Sequence, residues 1–111
     1  MVVGVFLSGA VTLAQQGLST YELITVGASA VGIATTTTNP TGRSQMNRCE
    51  VRVEAASVRF RDDGTDPTTS VGTPMDAGDT LAIPTNVIAR ALRFIQTSST
   101  SAYLHVRCYP L

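Results

Sequence analysis

The chain has 111 residues, of which 43% are hydrophobic and only 14% charged, a composition that fits one domain around one buried core and excludes a chain too polar to fold. Eight basic and eight acidic residues cancel to a formal net charge of zero, so no basic face stands ready to neutralise a row of phosphates, and nucleic acid is not an expected partner. Every basic residue is arginine, whose planar guanidinium suits contacts across interfaces, although a GC-rich coding sequence is the simpler account of the bias.

The opening MVVGVFLSGAVTLA has the apolar character of a secretory signal but lacks a positively charged start, and Gly4, Ser8 and Gly9 interrupt it. It reads as a strand over Val2 to Leu7 and a turn, with residues 1–7 available as an N-terminal arm that adds a strand to a neighbouring chain. No apolar run reaches the ~18 to 20 residues that span a bilayer, so no membrane association is expected. Tyr21 to Val26 and Val31 to Thr36 follow as short strand candidates. The stretch Thr35 to Ser44, TTTTNPTGRS, is β-branched and rich in turn formers, and reads as an exposed loop over 35–44 that can reach a neighbour or simply close a hairpin.

From Arg48 the period is two. Cys49, Val51, Val53 and Ala55 fall on one face and Arg48, Glu50, Arg52 and Glu54 on the other, the pattern of a half-buried strand. Val58 and Phe60 continue it, with a bulge expected at Ala55-Ala56-Ser57 to shift the phase by one residue. Asp79 to Ile83 and Ala91 to Gln96 are further strands, and Thr85 to Ala91 offers at most one helical turn begun at Thr85 or Asn86. The last strand sets Leu104, Val106 and Cys108 against Tyr103, His105, Arg107 and Tyr109. Turn residues fall between these runs, so the expected fold is all-β, a small single-domain β-sandwich or jelly-roll-like barrel over 1–111.

Chemistry-bearing residues are few. Cys49 and Cys108, the only cysteines, occupy core-facing strand positions where a small apolar side chain fits, which favours two buried thiols; a bridge requires their strands to be neighbours. The lone histidine, His105, lies on the polar side of its strand and reads as a surface or interface residue, since acid-base work needs a second positioned group. One histidine and two cysteines exclude an ordinary zinc site from one chain. Asp62-Asp63-Gly64-Thr65-Asp66 lacks the ligand spacing of a calcium loop and reads as a turn built on Asp-Gly, as do Asp76 and Asp79 around Gly78. No nucleophile elbow or phosphate-binding glycine motif occurs, so neither a catalytic site, a metal site nor a cofactor is expected.

One further pattern concerns origin. Val58-Arg59-Phe60-Arg61-Asp62-Asp63-Gly64-Thr65, then Pro67-Thr68, Val71-Gly72, Pro74 and Ala77-Gly78-Asp79-Thr80-Leu81, followed by Leu92-Arg93-Phe94-Ile95, resembles small β-rich virion proteins of tailed bacteriophages. The resemblance runs from the central third to the C-terminus and leaves the N-terminal third uncovered. It implies a structural protein of the particle. The leading expectation is a capsid decoration, or cement, protein assembled in the bacterial host cytoplasm. It would be a homo-oligomer such as a trimer, bound to the major capsid protein on the capsid exterior. The alternatives are a head-to-tail connector or tail component, and a receptor- or carbohydrate-binding fibre module. The absence of tryptophan and the 5% share of aromatics count against the last.

Overall fold

The computed structural model describes residues 18–110, so the expected strand and arm over residues 1–7 lie outside the described residues. The chain forms β1 (Thr20–Val26), a helical turn α1 (Thr35–Thr38), β2 (Met46–Glu54), β3 (Val58–Arg61) and β4 (Thr73–Met75). It continues with β5 (Thr80–Ile83), α2 (Asn86–Ala91), β6 (Arg93–Gln96) and β7 (Ala102–Pro110). The strands make two antiparallel sheets, one ordered β1-β7-β2-β5 and the other β4-β3-β6. The fold is an all-β sandwich.

The core lies where the alternation puts it. Val51 and Val53 of β2, Leu104 and Val106 of β7, and Ile24 and Val26 of β1 share one buried cluster with Val58, Met75 and Phe94 of the second sheet. Full burial of each such side chain contributes about 1.5–3 kcal/mol. The two short helical segments close the sandwich at one side. Thr85 caps α2 by accepting the Ile88 N–H at 3.2 Å, which satisfies one of the open donors of the first turn. Asn86, buried beneath it, donates from Nδ2 to the carbonyls of Thr38 and Met46, each at 2.9 Å, so its amide pins both α1 and the start of β2.

Four local expectations change. Ala55 is exposed and has φ +80°, so the chain does not bulge within one sheet there but turns out of the first sheet into the second. The irregularity of β2 falls instead between Met46 and Arg48. Of the expected strand over Val31 to Thr36, only Val31 pairs, with Phe94. The Thr35 to Ser44 stretch divides: Thr37 and Thr38 are buried in α1, whereas Thr41 to Ser44 are exposed. Glu22 of β1 is the cause, since its Oε1 accepts from Ala34 N at 3.0 Å and from Thr37 Oγ1 at 2.8 Å and draws the threonines inward.

The fourth change is chemical. Cys49 and Cys108 are joined in a disulfide, where the sequence favoured separate thiols. β2 and β7 are direct neighbours with Cys49 opposite Cys108 and their Cα atoms 4.0 Å apart, the closer kind of antiparallel cross-strand pair. Neighbouring strands in this register were the one condition for a bridge that alternation alone does not reveal.

Candidate functional site

The inward face of the four-stranded sheet is core, and its outward face carries a set of polar side chains joined by hydrogen bonds. Strand alternation turns Tyr103, His105 and Arg107 of β7, one of the two central strands, outward, because Leu104, Val106 and Cys108 point in. The register then fixes their neighbours. His105 stands between Leu23 of β1 and Arg52 of β2, Arg107 between Tyr21 and Glu50, and Tyr103 between Thr25 and Glu54. Tyr21, Leu23 and Tyr103 are 59%, 55% and 39% exposed. They are half of the large hydrophobic side chains left at the described surface, gathered on one face.

Polar contacts organise this face along the diagonals of the ladder. Tyr21 Oη lies 2.6 Å from His105 Nδ1, and His105 Nε2 lies 2.7 Å from Glu54 Oε1. Further along, Arg107 Nη1 donates to Tyr109 Oη at 3.1 Å, and the Arg48 guanidinium stands 4.3 Å over the Tyr109 ring. The Tyr109 hydroxyl, with a smaller contribution from the Glu50 charge, holds Arg107 more firmly protonated than a free guanidinium.

Beside His105 the surface dips into a cleft lined by Tyr21, Arg52, Glu54, His105, Arg107 and the Ala77-Gly78 turn. That turn is the one expected around Gly78. Its φ is +96°, Asp79 N donates to the Asp76 carbonyl at 3.0 Å, and Asp76 N donates to Asp79 Oδ2 at 2.8 Å. Gly78 N also donates to the Val53 carbonyl at 2.7 Å, which anchors the turn to β2 and so fixes the cleft wall.

The acidic turn sits elsewhere, at the end of β3. Arg61 donates from Nε and Nη2 to Asp63 at 3.1 and 2.5 Å. Thr65 N donates to Asp63 Oδ1 at 3.2 Å, and Gly64 takes φ +84°. The Arg61 guanidinium first, and the Thr65 amide second, lower the Asp63 carboxyl to about 2. No group of three or more metal-ligating side chains forms among the described residues.

Placing His105 on a polar strand face was within reach of the sequence. Its partners were not, since Tyr21 lies 84 residues away and Glu54 51 residues away. The period-two pattern put His105 and Glu54 on outward faces and gave Tyr21 only as the start of a short strand, which was the only available signal. No described helix is long and apolar enough to cross a membrane. No family model, curated protein or solved structure matches the chain.

Proposed function

We propose that the chain is a structural protein of a bacteriophage particle, a capsid decoration protein that seats the outer face of its four-stranded sheet on the major capsid protein. The observation that carries docking is the make-up of that face. Exposed Tyr21, Leu23 and Tyr103 alternate there with Arg48, Arg52 and Arg107 and with Glu50 and Glu54. Tyrosine and arginine are enriched in interface centres, where they bury large area and still find polar partners. The phage assignment rests on the resemblance carried by residues 58–95. A homo-oligomer, such as a trimer, on the capsid exterior would make individually weak contacts cumulative, and the role needs no catalysis.

Quantitative mass spectrometry of purified particles tests the assignment. Near-equal numbers of this chain and the major capsid subunit are expected; a few copies per particle would move the chain to the portal or tail, and absence would overturn the virion role. A Tyr21→Ala/Leu23→Asp variant tests the face. It is expected to stay folded but to be lost from particles, since central interface anchors are each worth about 2 kcal/mol or more. Full occupancy by that variant would move docking to another surface.

A further inference from the structure

Tyr21, His105 and Glu54 come from three adjacent strands and are joined end to end. An ionised carboxylate only accepts hydrogen bonds, so the 2.7 Å contact to Glu54 places a hydrogen on His105 Nε2. In the neutral ring Nδ1 is then an acceptor, and the hydrogen in its 2.6 Å contact comes from the Tyr21 hydroxyl. The phenol therefore donates to a base whose tautomer is held by a carboxylate. This is the order of groups by which weakly nucleophilic hydroxyls are activated.

Two features give the arrangement a use. Its members stand on β7 and on both strands paired with it, so their spacing follows from strand register and not from loop conformation. Tyr21 lines the same cleft as Arg52 and Arg107, so an anionic leaving group displaced there meets guanidinium charge. Tyr103 and Tyr109 serve as internal comparisons. Among the described residues neither is hydrogen-bonded to a base, and Tyr109 instead accepts from Arg107.

We infer that Tyr21 is a nucleophilic modification site for an acyl- or sulfonyl-type electrophile, with His105 as general base and Glu54 as the residue that positions it. The inference does not depend on the docking role. In the step, Tyr21 Oη forms a bond to the electrophilic carbon or sulfur. The bond to the leaving group breaks, that group departs as an anion, and the phenol proton passes to His105 Nδ1. Glu54 then faces an imidazolium, whose charge it stabilises. The titratable and charged groups that face His105 are Tyr21 from β1, Arg52 and Glu54 from β2, and Tyr103 and Arg107 from its own strand.

An arylsulfonyl fluoride, applied to the full chain across a pH series with the label mapped by peptide mass spectrometry, tests this. Sulfonylation releases fluoride and is read separately at each tyrosine. Near neutral pH, Tyr21 is expected to label about tenfold or more faster than Tyr103 and Tyr109. Its rate should also depend on pH differently from theirs, because among the described residues only the Tyr21 hydroxyl is bonded to a base. His105→Gln should bring Tyr21 down to the rate and pH profile of the other tyrosines, and Glu54→Gln should lower it by a smaller factor. Unchanged thermal unfolding certifies both variants as folded. Because Tyr21 is also the most exposed of the compared tyrosines, fast labelling that survives both substitutions, or that follows the pH profile of Tyr103, would overturn the inference.

Discussion

The two sheets follow the same alternation and are held together by different means. In the four-stranded sheet, β1 runs for seven residues and β2 and β7 for nine each; its ladders are long and the Cys49–Cys108 bridge ties its two central strands. The strands of the other sheet are only four, three and four residues long, too little ladder for a sheet to stand alone. It depends on Val58 and Phe94 in the shared core, on the Phe60 and Phe94 rings at 5.9 Å, and on arginines tied into its own loop. Arg59 Nη1 donates to the Gly72 carbonyl at 2.7 Å. Gly72 itself has φ +140°, and a Cβ there would come within 3.1 Å of the Phe60 carbonyl, so that bend admits little but glycine. Long strands are thus specified by pattern, and short ones by the chemistry of the loop that joins them.

If the short sheet stands only by sharing a core, Phe94→Ala should have the largest effect. Phe94 is fully buried, and truncation of such a ring costs about 3–5 kcal/mol. Urea denaturation is expected to show one transition at lower midpoint, with both sheets lost together. Two transitions, in which the four-stranded sheet outlives the other, would break the picture of a common core. The second effect belongs to the long sheet. The disulfide spans 59 residues, for which the loss of chain entropy in the unfolded state corresponds to about 4 kcal/mol. Cys49→Ala/Cys108→Ala should lower stability by about 2–4 kcal/mol in the same experiment, and reductant should do the same to the parent chain. A loss under ~1 kcal/mol would mean that the long ladders need no cross-link.

This contrast also decides what could be read from the residues alone. The exposed and buried faces of β2 and β7 were legible because a half-buried strand states its orientation every second residue, and the all-β class followed. Strand pairing was not legible, since alternation gives a strand its faces but not its neighbours. The disulfide depends on β7 pairing with β2, and the Tyr21–His105–Glu54 chain on β7 lying between β1 and β2, so both escaped for the same reason. The short β4 escaped differently. Thr73-Pro74-Met75 carries a proline that cannot donate to a ladder, and it is tolerated because β4 is an edge strand. The threonines of α1 contradicted their β-branched propensity because the Glu22 carboxylate binds their turn, a tertiary contact that outweighs a local preference.

The smallest effect tests what holds the turn at the end of β3. Asp63 sits at about 2, chiefly because Arg61 donates to it and then because the Thr65 amide does. A carboxyl depressed in the folded state stabilises fully above its unfolded range near ~3.9, and that contribution is lost as pH falls from there to about 2. Side-chain NMR should therefore find Asp63 ionised in the folded chain well below the ordinary carboxylate range, and Arg61→Ala should return its midpoint most of the way towards that range. The pair is exposed, so salt screens it and its removal should move thermal stability far less than either substitution above. A midpoint that stays near 2 in Arg61→Ala would assign the depression to the Thr65 amide. The turn would then close through its own backbone, and the arginine at the end of β3 would be free to meet a partner.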